Sequence, residues 1–187
     1  MKHKIMAMAL AAGMTFTAFS GVLPQSFGFD GTSIIAQAAT VKEMNVPVTL
    51  QHHDNPDNKS MGNPALIQLG KIVVDSEGKA SVQLTFQSLT IAGLGKGNLG
   101  WIKKVNSDGT MTPATIIEEY TGYTDDYNDE DSDYFDDNLN KSNDGNYWYP
   151  KTVAIPVDAE YDNQGNLIGV KESRIEVQVY VPIMEKL

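Results

Sequence analysis

The stretch Ala80-Ser81-Val82-Gln83-Leu84-Thr85-Phe86-Gln87 decides the fold class of this chain. Apolar residues occupy every second position, and polar residues fill the positions between them. Successive side chains of a β-strand point to opposite faces, so the alternation predicts a strand with one face in a core. The turn sequence Ser76-Glu77-Gly78-Lys79 comes directly before it, and Lys71–Asp75 has the pattern of its hairpin partner.

Similar patterns recur along the chain, separated by turn sequences rich in Asp, Asn and Gly. No stretch has the apolar periodicity of a convincing amphipathic helix. The pattern therefore predicts an all-β domain, an antiparallel β-sandwich of about seven short strands. Pro47 lies in the first of these strands and indicates an edge strand, because proline donates no ladder hydrogen bond. The further predicted strands are Val46–Gln51, Asn98–Val105, Thr112–Tyr120, Val153–Val157 and Ile175–Val181.

The amino terminus has the order of parts typical of a secretory signal. Basic residues in Lys2–Lys4 precede an apolar stretch from Ile5 to about Leu23, and Ala36-Gln37-Ala38 supplies a small-x-small cleavage site. We predict that residues 1–38 form the signal and that residues 39–187 form one domain. Two alternatives stay open: an earlier cut near Ala18-Phe19-Ser20, and an uncleaved membrane anchor. The mature chain has no second apolar span, so we expect a secreted protein, free or associated with the cell wall or surface.

Charge is concentrated in one segment of the chain. Eleven of the 24 acidic residues lie between Glu118 and Asp144, where Lys141 is the one basic residue. Phosphate binding needs a basic surface, so we expect no nucleic-acid partner. Residues 118–146 have almost no aliphatic side chains, and we interpret them as an acidic, mobile loop inserted in the domain.

Part of the acidic loop has the carboxylate spacing of a calcium site. Asp129, Asp131 and Asp133 have the D-x-D-x-D spacing of an EF-hand. Tyr134 stands where that motif needs glycine, and Asn140 stands where it needs glutamate. We therefore predict no metal site of this kind, and weak calcium binding stays open as an alternative.

The residue types do not favour catalysis. The chain has no cysteine, which excludes thiol chemistry and cysteine-ligated metals. Adjacent His52 and His53 lie in one loop, and no nucleophile motif accompanies them. Gly93-Leu94-Gly95-Lys96-Gly97 precedes a strand and opens no helix, unlike a phosphate-binding loop. We expect no enzyme and assign no catalytic residue.

Three stretches in order resemble the NEAT (near iron transporter) family of Gram-positive surface proteins. They are the strand Val46–Gln51 followed by Lys59-Ser60-Met61, the strand pair Lys71–Asp75 and Lys79–Phe86, and the closing Ile175–Pro182. The resemblance covers about Val41 to Met184. It implies an immunoglobulin-like sandwich that binds haem or haem-carrying proteins for iron acquisition.

The resemblance also implies a site. In the family, haem lies between a short helix bearing a Ser-Met pair, matched here by Ser60 and Met61, and a hairpin of the last two strands. The second hairpin strand carries the iron-ligating tyrosine of the family. This chain departs from that pattern because it ends at Leu187, five residues after Pro182. We expect a longer protein to supply that strand, and two alternatives stay open: the chain binds haem differently, or it does not bind haem.

Substitute ligands for haem iron are available in the chain, since thioether and imidazole are both axial ligands. Met61, Met184 and either His52 or His53 are the candidates, with Tyr180 as a further residue for the pocket wall. Each of these residues also has a possible role without haem: the methionines fill the core, the histidines are solvated, and Tyr180 covers the sheet. The competing function is a structural or adhesive surface sandwich without haem.

Overall fold

In a computed structural model of the chain, residues 41–184 are described with their side chains, and residues 2–7 and 185–186 by their backbone. Nearly all of the regular secondary structure is β, so the predicted all-β antiparallel sandwich is confirmed, with thirteen strands among the described residues in place of the predicted seven or so. The strands are β1 Lys2–Ala7, β2 Lys42–His52, β3 Leu69–Val74, β4 Ala80–Thr85, β5 Leu89–Ile91, β6 Gly95–Gly97, β7 Trp101–Val105, β8 Met111–Pro113, β9 Thr115–Glu119, β10 Pro150–Val157, β11 Ala159–Tyr161, β12 Leu167–Val170 and β13 Arg174–Tyr180. Two 3-10 helices, Asn63–Ala65 and Pro182–Lys186, complete the secondary structure.

Nine strands hydrogen-bond in the order β8-β7-β13-β1-β2-β3-β4-β10-β9, and every neighbouring pair is antiparallel. The long strand β2 belongs to both halves of this arrangement. Its first part, Lys42–Pro47, pairs with β3, and its second part, Val48–His52, pairs with β1. Strands on either side of this changeover form the two layers of the sandwich, and β5–β6 and β11–β12 are small separate hairpins.

Pro47 lies at this changeover, in the part of β2 that is paired on one side only. Residue 47 is the last partner of β3, and Val48 is the first residue in register with β1. Among the described strands, β3 is the one partner of Lys42–Pro47. The predicted edge position is therefore confirmed for this part of β2, where a missing N–H is tolerated.

Apolar residues from both layers form one core. The alternation predicted for β4 is confirmed, since Val82, Leu84 and Phe86 are at most 4% exposed. Strand β13 contributes Ile175 and Val177 from the opposite layer. The other fully or nearly fully buried apolar residues of the cluster are Val46, Val48, Leu50, Leu66, Ile72, Leu99, Ile102, Val153, Ile155 and Val157.

The acidic segment between β9 and β10 is folded. The Asn128 side chain accepts from the Asp125 N–H at 2.7 Å and donates to the carbonyls of Tyr123 and Tyr147, both at 2.9 Å. The Tyr149 hydroxyl donates to Asp125 Oδ1 at 2.7 Å, and burial beside that carboxylate raises the pKa of the hydroxyl. The prediction that this segment is too polar to pack is wrong. Side-chain hydrogen bonds to backbone groups stabilise it, whereas the burial of apolar side chains stabilises the strands.

The predicted signal peptide overlaps the described residues only in part. Lys2–Ala7 forms β1, a strand that the sequence pattern did not indicate. Residues 8–40, which include the predicted cleavage site, lie outside the described part of the chain. No helix within the described residues is long and apolar enough to cross a membrane.

Candidate ligand-binding groove

A short turn after β2 forms one wall of an apolar groove. The chain leaves β2 through a loop that returns at Ser60, whose N–H donates to the Leu50 carbonyl at 2.9 Å. The 3-10 helix Asn63–Ala65 follows, and Gly62 holds its N-cap position without a side-chain cap bond.

A buried amide fixes the turn against the sheet. Asn63 is 3% exposed, and its Oδ1 accepts from the Leu50 N–H at 2.8 Å. The same turn leaves the Met61 side chain 57% exposed on the rim of the groove. The thioether of Met61 is thus presented at the opening by a rigid base.

The opposite wall is formed by the end of β13 and the second 3-10 helix. Val179, Val181 and Met184 line the groove from this side. Gly97 on β6 lets the helix approach, since a Cβ there would lie 3.0 Å from Ile183 Cγ2. Ile183 is 4% exposed and anchors the helix at this point.

The groove is largely apolar and narrow. It encloses about 490 Å³, a volume that includes its solvent-open mouth, and about 50 Å³ of it admits water. The part that admits water is the volume to compare with known sites, and it is smaller than the roughly 300–1,000 Å³ of typical small-molecule pockets. The remaining lining residues are Leu50, Gly62, Ala65, Phe86, Gln87, Leu89, Ile91, Gly97, Asn98 and Leu99.

Two of the six residues predicted for the site lie together here. Met61 and Met184 both line the groove, the first from the turn after β2 and the second from the second 3-10 helix. Ser60 lies beneath the turn, 3% exposed, with its Oγ accepting from the Gly62 N–H at 3.2 Å. This hydroxyl stabilises the turn that presents Met61.

The two histidines lie at the end of β2 and do not line the groove. His52 is exposed, and its Nδ1 accepts from the Asp54 N–H at 3.3 Å. His53 Nδ1 is 3.5 Å from Glu176 Oε1, and its Nε2 is 3.8 Å from Asp54 Oδ1. Carboxylates, and not the groove, surround the His53 imidazole.

Tyr180 lies on the other face of β13. Its ring stacks on Trp101, with centroids 5.1 Å apart and planes 14° apart, and its hydroxyl donates to Asp136. Because side chains alternate along a strand, Val179 and Val181 face the groove while Tyr180 faces the acidic segment. Tyr180 therefore secures the acidic segment to the sheet.

Sequence reasoning missed the floor of the groove. Phe86, Leu89 and Ile91 come from β4 and the β5–β6 hairpin, which the glycine-rich stretch 93–100 closes. The glycines were the available signal, since Gly93 and Gly95 have φ of 82° and 113°, a conformation that favours glycine.

The acidic segment does not assemble a metal site. Asp129 Oδ1 accepts from the Asp131 N–H at 3.1 Å, so this carboxylate closes a local turn. Within residues 41–184, no three His, Asp or Glu side chains converge on a point that would hold a metal ion.

No known protein family model, curated protein or solved structure matches this chain. The case for its function therefore rests on the groove and on the sequence itself.

Proposed function

We propose that this chain is a NEAT-type module of immunoglobulin-like fold that binds haem, or haem carried by another protein, for iron acquisition at the bacterial surface. The observation that carries the proposal is the apolar groove whose lining includes both Met61 and Met184. The sequence resemblance and the predicted export support the same function.

The apolar walls and thioether groups of the groove are of the kinds that bind a porphyrin and its iron. Its walls are aliphatic and aromatic, which favours burial of a flat apolar macrocycle. Met61 and Met184 are the residues that would face the iron, since thioether sulfur is a haem ligand. Bound haem would supply an iron centre whose axial position a thioether can fill.

The narrowness of the groove sets a condition on binding. A porphyrin occupies a larger volume than the 50 Å³ of the groove that now admits water. Met61 is well placed to provide it, because an exposed, unbranched side chain changes rotamer at little cost. Binding then requires the Met61 rim to move away from the second 3-10 helix.

Haemin titration of the purified chain, followed in the Soret region, tests the proposal. We expect a saturable, shifted band at one haem per chain, and weaker binding by about tenfold or more in Met61→Ala. Met61→Leu keeps the apolar volume and removes the sulfur, so a changed Soret position in this variant identifies the thioether as ligand. Met111→Ala, on the exposed surface of β8, is the matched control and should bind as the parent does.

A chain with no saturable Soret band and no retention of haemoglobin would refute the proposal. Retention of a cell-wall or host component under haem-free conditions would instead favour the structural or adhesive function.

A further inference from the structure

Strand β1 fills a position one strand wide in the middle of the main sheet. Lys2–Gln178 to Met6–Arg174 are its register pairs with β13, and His3–His52 to Ala7–Val48 are its pairs with β2. Because β1 is antiparallel to both neighbours, β2 and β13 run parallel, about 9.5 Å apart at the usual strand spacing. At that distance β2 and β13 cannot hydrogen-bond to each other. We name the position between residues 48–52 and 174–178 the β1 slot.

The predicted cleavage after Ala38 removes the strand that fills this slot. The facing N–H and C=O groups of β2 and β13 would then lose their partners, at a position flanked by paired strands. Unpaired strand edges are templates for another chain, and buried unpaired backbone groups are costly. The exported form therefore has a strong thermodynamic reason to take up a replacement strand.

The residues around the slot specify what that strand must look like. Its inner face is apolar, since Val48, Leu50, Ile175 and Val177 are each at most 2% exposed. In the register of β1, position 5 lies opposite both Leu50 and Ile175. An apolar residue is needed there, and the chain has Ile5.

The outer face has the opposite character. Position 4 of β1 lies opposite Glu176 on one side and Gln51 on the other. Glu176 is 30% exposed, and Gln51 Oε1 is buried without a hydrogen-bond partner among the described residues. A carboxylate and a free acceptor favour a basic donor at this position, and the chain has Lys4.

We propose that the exported protein accepts, in the β1 slot, an antiparallel strand of about six residues from a partner polypeptide, apolar at alternate positions and basic opposite Glu176. The inference rests on the predicted cleavage and not on haem binding. A second copy of the exported chain is a poorer donor. The nine-stranded sheet ends in β8 and β9. β8 is three residues long and ends in Pro113, and β9 carries Glu118 and Glu119, which would repel Glu176.

The experiment begins with the full chain, carrying a specific protease site inserted after Ala38. The chain is cut after folding, and the released fragment 1–38 is removed by gel filtration in mild urea, which is then dialysed away. A fluorescent peptide of residues 2–7 is then added to cut and uncut protein, and its anisotropy is measured. We expect saturable binding at one peptide per cut chain and at least about tenfold weaker binding to the uncut chain, whose own strand fills the slot. The Ile5→Pro peptide should fail, because proline removes a ladder hydrogen bond.

A charge exchange locates the binding site. Glu176→Lys in the protein should weaken the parent peptide about tenfold, and the Lys4→Glu peptide should recover most of the loss with that variant only. Glu160→Lys, on the separate β11–β12 hairpin, is the matched control and should leave binding unchanged.

Equal binding to cut and uncut protein would overturn the proposal, as would no binding to either. A cut chain that elutes as a dimer and refuses the peptide would also overturn it, since a second copy would then fill the slot. Haem titration of the same cut protein reports separately on the groove, so failure of one proposal leaves the other intact.

Discussion

At the scale of a single residue, Asn63 connects the turn that lines the groove to the core strand β2. Its side-chain oxygen accepts the Leu50 N–H, a donor that faces the turn and not a neighbouring strand. An unpaired buried N–H costs more than an average hydrogen bond contributes, because its lost contact with water is not replaced. The amide thus holds the Met61 turn to β2.

Replacing Asn63 with alanine should therefore lower the free energy of unfolding by about 1–3 kcal/mol. Urea denaturation of parent and variant measures the difference. Asn163→Ala, in the exposed turn between β11 and β12, is the control and should change stability by less than about 0.5 kcal/mol. Equal effects of the two substitutions would contradict the role assigned to Asn63.

For single residues, the sequence indicates which side chains belong to a site better than it indicates the face of the sheet to which each one points. Met61, implied by the resemblance, and Met184, proposed as a substitute ligand, line one groove. For Tyr180 the sequence does not decide between the two faces of the strand. Its orientation follows from Trp101 and Asp136, which are 79 and 44 residues away in sequence. No local pattern encodes such contacts.

At the scale of elements, the strands and the acidic segment differ in what stabilises them. Alternation is a local property, so β4 and β13 were predicted correctly from their own residues. The acidic segment depends on a few side chains that bond distant backbone groups, such as Asn128 with Tyr147. A low content of aliphatic residues therefore gave the wrong expectation for this element. Pro47 gave a correct local signal, since it lies in the part of β2 that pairs with β3 alone.

Asn128→Ala should loosen the acidic segment while the sandwich stays folded. The variant removes one acceptor and two donor bonds at a residue that is 7% exposed. We expect amide hydrogen exchange across residues 121–147 to speed up about tenfold or more, with little change in β3 and β4. The exposed Asn143→Ala is the matched control. Uniform acceleration throughout the chain would show that the segment and the sandwich unfold as one unit.

At the scale of the whole molecule, excess negative charge is offset by local hydrogen bonds to carboxylates. The formal net charge is −10, and the segment from Glu118 to Asp144 accounts for a charge of that size. Glu118 Oε1 accepts from Lys151 Nζ at 2.5 Å, which joins β9 to β10 and holds the pKa of Glu118 below its ordinary value of 4.5. The pKa values of Asp108 and Asp162 are also lowered, by hydrogen bonds within their turns, and the pKa of Asp144 is lowered chiefly by a hydrogen bond from the Trp148 indole.

The lowered pKa values predict how stability depends on acid. Below about pH 5 the unfolded chain takes up protons more readily than the folded chain, so folding stability present at neutral pH falls as pH falls through the folded pKa values. Glu118→Gln should make the dependence of stability on pH less steep. The proton uptake that accompanies unfolding should decrease by at most about one proton, because the variant removes a group that titrates differently in the two states. Urea midpoints at half-unit steps from pH 6 to pH 3 measure the slope, with Glu160→Gln on β11 as the matched exposed control. An unchanged slope in Glu118→Gln would mean that the ion pair with Lys151 is too well solvated to couple to folding.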